Sequence, residues 1–479
     1  MTSTSGIGSH RVVIIGGGPG GYEAALVARQ LGAEVTVVDR DGLGGSAVLT
    51  DCVPSKALVA TANVVRYAAQ AGALGVVIDG RAPHEASIGV DAKRANARIR
   101  ALAAAQSADI RTGLRSQGIH VIEGSATLTS DAGSPTSTVV VRSRDQGLST
   151  LEAETVLLAT GARPRTMPSA PPDGARILTW EQLYDLDEIP ERLIVVGSGV
   201  TGAEFASAYR ALGSQVVLVS SRDRVLPGED PDAASALEAV FAREGIEVLA
   251  QARAASARVD GSQVVVTLAD GREVNGSHAL MAIGSVPNTD DLGLDDAGVA
   301  RDDRGYIGID RVSRTNVPGI YSAGDCTGVL MLASVAAMQG RIAMRHALGD
   351  ALAPIDLSHV SSTVFTSPEI ATVGVTQADL DAERVIGDVV LLPLASNARA
   401  KIEDVSDGFV KLICRRGTRT VAGAVVVGPH ASELIHPLTM AVVERMTVDE
   451  LATVFTVYPS LTGSIAEAAR RLHVAATNR

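Results

Sequence analysis

Aromatic side chains are scarce in this 479-residue chain, at 3% of the total with Trp180 the only tryptophan. Flat rings cannot fill much of the interior, so Ala, Val, Leu and Ile must, within an apolar content of 46%. Cysteine is thin as well. Cys52, Cys326 and Cys414 are far apart and odd in number, which leaves no disulfide framework and no C-x-x-C metal spacing. Positive charge is in deficit, 42 basic against 54 acidic residues for a net of −12, which disfavours nucleic acid or an anionic membrane as partner. The N-terminus MTSTSGIGSHR lacks an apolar secretory core, and no apolar run is expected to approach the ~20 residues that span a bilayer. A cytoplasmic protein without membrane insertion is the expectation.

The length calls for two to four domains. Two segments share one plan: RVVIIGGGPGGYEAALVARQLGAEVTVVDR (11–40) and RLIVVGSGVTGAEFASAYRALGSQVVLVSS (192–221). Each runs from an unbroken apolar strand through a glycine turn into an alanine-rich helix ending at Leu-Gly, then a second apolar strand. Apolar residues without alternation mark strands buried on both faces, hence parallel βαβ units. Two such units predict two dinucleotide-binding domains. Residues 139–160 read as strands, Asp270-Gly271 as a hairpin turn, and ALMAIGSVPN and GIYSAGD as buried strands ending in glycine turns. GFVKLICRRGTRTVAGAVVVGP reads as an antiparallel pair in a separate α+β module. The resulting class is α/β, with two Rossmann-like domains and a C-terminal α+β interface domain. The boundaries are 1–154 and 277–350 for the domain of the first βαβ unit, 155–276 for that of the second and 351–479 for the C-terminal domain.

Gly16, Gly18 and Gly21 form G-x-G-x-x-G between strand and helix. The first glycine permits the tight turn, the second admits a pyrophosphate to the backbone, and the third lets helix and strand pack closely. Asp39 closes the second strand about twenty residues on, where a carboxylate holds ribose hydroxyls. Gly197, Gly199 and Gly202 repeat the pattern, but that second strand ends in Ser220, followed by Ser221, Arg222 and Arg224. Loss of the carboxylate removes repulsion of a 2′-phosphate, and a guanidinium accepts one. NADPH, or both nicotinamides, is favoured over strict NADH, against the alternative of two solvated arginines.

With GGGPGG (16–21), GG…CVPSK (44–56), ATGARPR (159–165), GSGVTGAE (197–204), AIGSVPN (282–288), GIYSAGD (319–325) and FTSPEIATVG (365–374) in this order, the chain resembles the flavoprotein disulfide reductases. The resemblance covers nearly the whole chain. It implies FAD on the first fingerprint, NAD(P)H on the second, and a homodimer whose active sites are shared across the interface domain. The cofactor contacts it implies are Gly16, Gly18, Pro19, Gly20, Gly21, Asp39, Arg40, Gly45, Ser46, Lys56, Gly124, Ala126, Thr160, Gly161, Asp325, Leu332 and Ala333. To these it adds Gly197, Gly199, Val200, Gly202, Glu204, Ser220, Ser221, Arg222 and Gly284. Asp325 is similar to the family acid on the flavin ribityl chain, and Lys56 and Glu204 to the pair beside flavin N5, where a cation tunes the potential. No metal site is implied.

The pattern breaks in two places. The family runs G-G-x-C-x-x-x-x-C-V-P-S-K; here Ala47 stands at the first cysteine and Asp51 precedes the second, Cys52. Alanine forms neither thiolate nor disulfide. The family's H-P-T-x-x-E relay is Tyr458-Pro459-Ser460-Leu461-Thr462-Gly463. A phenol near pKa 10 shuttles protons poorly at neutral pH, and glycine orients nothing. Cys52 reads as a redox-active thiol or as a small buried hydrophobe, the latter favoured because no resolving thiol is near. Its position at a helix start behind Asp51 leaves the sign of its pKa shift open. Cys326 and Cys414 read as structural. Lys56, Glu204, Cys52 and Tyr458 are the candidate catalytic residues.

Lipoamide-dehydrogenase-like proteins without the cysteine pair include NAD(P)H:quinone reductases, and the chain is similar to them. The leading reading is hydride from NADPH or NADH to FAD, then electrons directly to a quinone. The alternatives are a soluble pyridine-nucleotide transhydrogenase, a single-cysteine peroxidase or oxidase requiring Cys52, and a non-enzymatic flavin redox sensor.

Overall fold

The structure, a computed structural model, describes residues 10–129, 136–143, 145 and 147–477. The N-terminal run MTSTSGIGS and positions 144 and 146 of the expected 139–160 strands lie outside these. The chain forms two compact, discontinuous units: Met1–Ala57, Asn96–Arg165 and Gly284–Ile355 make one, and Leu58–Ala95, Thr166–Ile283 and Asp356–Arg479 the other.

The first unit is built on a seven-stranded sheet in the order Ile320–Ser322, Thr155–Leu158, Arg11–Ile15, Glu34–Asp39, His120–Thr129, Ser137–Ser143, Gly147–Ala153. Its first five strands are parallel and its last two antiparallel. The strand RVVII is apolar throughout because alternate residues serve two cores: Val12 and Ile14 join one, Val13 and Ile15 the other. The helix Pro19–Gln30 buries Ala24, Ala25 and Ala28, and small side chains there allow close packing. A Cβ on Gly340, in the helix Ala333–Ala347, would lie 2.1 Å from the carbonyl oxygen of Gly20, so these two helices touch backbone to backbone. This use of small residues is how a chain poor in aromatics reaches native density.

The second unit contains a five-stranded parallel sheet, Glu247–Leu249, Gln215–Val219, Arg192–Val196, His278–Met281, Ile177–Leu178, with the helices Val200–Ala211 and Pro231–Glu244. A three-stranded antiparallel sheet, Ala254–Asp260, Gln263–Leu268, Glu273–Gly276, turns at Gly271 with φ +88°. A five-stranded antiparallel sheet follows, in the order Ser361–Val364, Glu369–Gly374, Val421–Gly428, Phe409–Arg415, Gly387–Pro393. It shares one core with the helices Ala431–Val443 and Gly463–Thr477.

One expectation is corrected here. The helical stretch Gly45–Leu74, of 30 residues and mean hydropathy 1.2 in its most apolar window, is by length and composition alone able to cross a membrane. Scattered serine, threonine and lysine interrupt the apolar letters without lowering the mean far. Much of the stretch is interior, with Ala57, Leu58, Val59, Ala62 and Val65 buried, as expected of a core helix.

Candidate active site

The first fingerprint sits between strand Arg11–Ile15 and helix Pro19–Gln30. A Cβ on Gly16 (φ +105°) would meet Ala159 O at 2.2 Å, and one on Gly21 would meet Gly16 O at 1.9 Å. Packing within the protein therefore demands these two glycines. Gly18 differs: its Cβ would meet nothing closer than Gly45 Cα at 3.9 Å. Open space over a backbone turn at a helix N-terminus is a cradle for a phosphate. Gly44 N–H donates to Gly17 O at 2.8 Å, and Gly45 (φ +56°) is so near Gly18 that a Cβ would stand 2.9 Å from its Cα. The GGS run (44–46) thus docks on the GGG turn.

Asp39 closes the second strand with both carboxylate oxygens engaged. Oδ2 accepts from Gly17 N–H at 2.6 Å, and Oδ1 from Asp41 N–H at 2.9 Å and Gly42 N–H at 2.6 Å. Burial pushes its pKa up against the pull of these donors, and burial wins. Oδ2 has lone-pair capacity left for a hydroxyl. Beside it lies a cavity of about 590 Å³ that brings together Gly16, Asp39, Arg40, Gly124, Ala126 and Thr160. Its wall also holds Arg163, Asn288 and Asp290, whose side chains sequence reasoning left unassigned. Asn288 Nδ2 donates to Thr160 O at 3.0 Å, while Arg163 donates to Asn288 Oδ1 at 3.0 Å and Asp290 Oδ2 at 2.9 Å. The only signal available was the place of Arg163 in ATGARPR and of Asn288 in AIGSVPN; Asp290 lies two residues beyond the latter.

Asp325 opens the 3-10 turn Asp325–Thr327 in the same unit. Burial, and then the charge of Asp51, push its carboxyl up to about 6. Gln339 Oε1 accepts from Gly324 N–H at 2.7 Å, but its buried Nε2 has no protein acceptor. Leu332 and Ala333 stand at the start of the helix Ala333–Ala347. Thr160 and Gly161 follow strand Thr155–Leu158, Ser46 lies in the helix Gly45–Leu49, and Lys56 is half-buried in the helix Cys52–Gln70. Cys52, the first residue of that helix, is partly exposed, which corrects the reading of it as a buried hydrophobe. Cys326 and Cys414 are buried free thiols, raised in pKa first by that burial.

The second fingerprint repeats the first nearly atom for atom. A Cβ on Gly197 would meet Ala282 O at 2.1 Å, one on Gly202 would meet Gly197 O at 1.9 Å, and one on Gly199 would meet nothing within 4 Å. Val200, Ser221 and Arg222 are exposed. Arg222 has no ion-pair partner among the described residues, whereas Arg224 lies 3.7 Å from Asp223. Ser220 is a correction. It is fully buried, its hydroxyl 2.7 Å from Ser198 Oγ and accepting from Arg222 N–H at 3.1 Å, so it shapes the loop and does not reach a ligand. Glu204, buried in the helix Val200–Ala211, accepts from Phe365 N–H at 2.9 Å. Gly284 (φ +95°) belongs to the first unit, where its carbonyl accepts from Arg165 N–H at 2.9 Å. Tyr458 is 85% exposed. Beside it, space at the Gly463 Cβ position is open, with Asn397 Nδ2 and Thr456 Oγ1 both 4.0 Å away.

Two glycine cradles of identical construction, each on a parallel βαβ unit and each opposite the end of a second strand, define a protein of the two-dinucleotide class, one site for each nucleotide. The residues present fit two such ligands, since the middle glycine of each turn has no packing reason of its own. The chain belongs to the pyridine nucleotide-disulphide oxidoreductase family, whose model matches residues 10–340, followed by the dimerisation domain of that family over 360–469. It is 55% identical over 466 residues to the NAD(P)H dehydrogenase (quinone) of Mycobacterium tuberculosis H37Rv, covering 96% of this chain and 94% of that one. It is 34% identical over 461 residues to the dihydrolipoyl dehydrogenase of Chlamydia pneumoniae, covering 95% of each. The crystal structure of LpdA from M. tuberculosis superposes with a TM-score of 0.92 at 54% identity, over 97% of this chain and 99% of that one. The chain is therefore a flavoprotein oxidoreductase with mixed α/β nucleotide-binding domains and a C-terminal dimerisation domain. Membership implies FAD and NAD(P)H as cofactors and a homodimer as the assembly.

Proposed function

We propose that this chain is an FAD-dependent NAD(P)H:quinone oxidoreductase that passes electrons to its acceptor without a dithiol relay. The observation that carries the reading is Ala47 opposite a lone, partly exposed Cys52: a thiol–disulfide cycle needs two sulfurs, and here there is one. Tyr458 and Gly463, standing where the family carries its proton relay, support the same conclusion. When bound, FAD supplies the two-electron step between nicotinamide and acceptor. Gly16, Gly18 and Gly21 seat its pyrophosphate, Asp39 and Arg40 meet its adenosine half, and Asp325 accepts from its ribityl hydroxyls. Gly197, Gly199 and Gly202 seat the nicotinamide dinucleotide, and Arg222 faces the 2′-phosphate of NADPH. Lys56 and Glu204 act beside the flavin ring. Segments 1–154 and 277–350 form the FAD domain, 155–276 the NAD(P)H domain and 351–479 the interface domain of a cytoplasmic homodimer that does not insert into membranes. The test is anaerobic stopped flow. Enzyme reduced by NADPH should reoxidise with menadione far faster than free reduced flavin and should leave lipoamide and glutathione disulfide unreduced. Reoxidation no faster than free flavin defeats the proposal.

A further inference from the structure

The two fingerprint turns carry matching bonds with one exception. Gly16 N–H donates to Val38 O at 2.8 Å, and Gly197 N–H to Val219 O at 2.9 Å. Gly17 O accepts from Gly44 N–H at 2.8 Å, and Ser198 O from Leu226 N–H at 2.8 Å. The side chain ending each second strand accepts from the N–H two residues on: Asp39 Oδ1 from Asp41 at 2.9 Å, Ser220 Oγ from Arg222 at 3.1 Å. The exception is the other oxygen of Asp39, Oδ2, which accepts from Gly17 N–H at 2.6 Å. The counterpart of that donor, Ser198 N–H, has no acceptor among the described residues.

Side-chain length explains the difference. A carboxylate has two oxygens and reaches both its own loop and the fingerprint backbone; a serine has one oxygen, a bond nearer its Cα. The other contacts of Ser220 Oγ are Ser198 Oγ at 2.7 Å and the carbonyls of Arg222 at 3.1 Å and Arg224 at 3.3 Å. The two buried hydroxyls thus satisfy each other and the loop, and leave the Ser198 amide alone. The consequence is electrostatic. Each amide stands just ahead of a helix N-terminus, Pro19–Gln30 or Val200–Ala211, where aligned peptide dipoles favour negative charge. In the first turn the protein brings its own anionic oxygen to that place. In the second it brings a neutral hydroxyl pair, so an anionic oxygen has to come with the ligand. In a doubly wound unit the adenosine ribose lies at the end of the second strand, and the anion that ribose carries in NADPH is the 2′-phosphate.

We propose that Ser198 is a specificity residue of the nicotinamide-nucleotide site: its backbone N–H donates to an oxygen of the 2′-phosphate of NADPH, as Gly17 N–H donates to Asp39. This rests on the NADPH acceptance proposed above and adds a backbone donor to Arg222. Ser220 is the positioning residue, because its short side chain holds the loop through Arg222 N–H without covering the Ser198 amide. NADH, with a neutral 2′-hydroxyl, offers that amide no anionic oxygen.

The experiment measures 2′,5′-ADP and 5′-AMP binding by calorimetry on oxidised, flavin-loaded wild type, Ser198→Gly, Ser198→Gly/Ser220→Asn and Arg222→Ala. The glycine makes room, since a Cβ on Gly17 would stand only 3.1 Å from Asp39 Oδ2. Ser198→Gly keeps the amide free and should bind 2′,5′-ADP within about three-fold of wild type. The double variant sets the asparagine carbonyl on that amide, as Asp39 sets its carboxylate on Gly17, and adds no charge. It should bind 2′,5′-ADP about ten-fold more weakly than Ser198→Gly, and 5′-AMP less than about two-fold more weakly, because a hydrogen bond to a charged group is lost only with the phosphate. Equal 2′,5′-ADP affinities in these two variants, or an equal loss for both ligands, overturn the inference. If the double variant does not accumulate as folded holoenzyme, a crystal structure of wild type with 2′,5′-ADP carries the test. A 2′-phosphate oxygen within about 3.2 Å of Ser198 N is expected, and none within about 3.5 Å overturns the inference. A wild type that binds 2′,5′-ADP no more tightly than 5′-AMP, with Arg222→Ala equally indifferent, overturns the NADPH reading itself, and that outcome is recognisable without any Ser198 variant.

Discussion

Gly18 and Gly21 are separated by two residues and answer to different masters. A methyl at position 21 would stand 1.9 Å from Gly16 O, whereas one at position 18 has 3.9 Å of room. Gly21→Ala should cost roughly 1–3 kcal/mol or more through overpacking, read as a drop in Tm of the flavin-stripped protein. Gly18→Ala should leave that Tm nearly unchanged, within about 0.5 kcal/mol, yet lower the flavin-to-protein ratio on purification. Asp325 offers a pH test at the same scale. Its folded value of about 6 lies above the unfolded value of 3.8, because burial and Asp51 disfavour its charge. Between those values the unfolded chain has released the proton that the folded, flavin-stripped protein retains. Stability of that form therefore falls as pH rises through the window, and the penalty is complete above about 6. A urea series from pH 4 to 7.5 on wild type and Asp325→Asn should show this dependence in the first and its loss in the second.

At the scale of elements, the part of the helix Cys52–Gln70 that lies in the second unit, from Leu58 on, carries a polar anchor in Arg66. Arg66 donates to Ser207 O at 2.8 Å, Ser207 Oγ at 3.2 Å and Glu244 Oε2 at 3.1 Å, so it ties this helix to Val200–Ala211 and Pro231–Glu244 together. The Arg66 side chain is only 13% exposed, and its bonds are charge-assisted. Arg66→Ala should lower unfolding stability by about 1.5–3 kcal/mol, measured by guanidinium titration; a change under about 0.5 kcal/mol would show that packing alone holds the helix.

The whole molecule carries an apolar edge that one protomer does not cover. Val454, Phe455, Val457 and Tyr458 are exposed in succession, Phe455 at 102%, all within the dimerisation-domain match. Four neighbouring apolar side chains in water are costly unless a surface meets them. Phe455→Asp should shift the protein from dimer to monomer in light scattering at micromolar concentration, and a mass that stays dimeric would place the interface elsewhere. Quinone turnover should fall with the dimer if the active site draws on both chains, as the position of Tyr458 in the family pattern implies.

Read by itself, the chain determined whatever depends on neighbours close in sequence or on the identity of a reacting atom. The βαβ units were legible because unbroken Val/Ile strands and glycine turns are local patterns, and the first glycine of each turn, Gly16 and Gly197, sits at the positive φ angle the turn needs. The lack of a second sulfur was legible because Ala47 can form no thiolate in any fold. Tertiary structure decided the rest. Ser220 reads as a nucleotide contact until its hydroxyl is found buried against Ser198. Arg163 acquires meaning only beside Asn288 and Asp290, and Lys411 only beside Asp230, 181 positions away. No local periodicity records which charge will face which across such distances, because that pairing is settled by the sheets and helices that carry them.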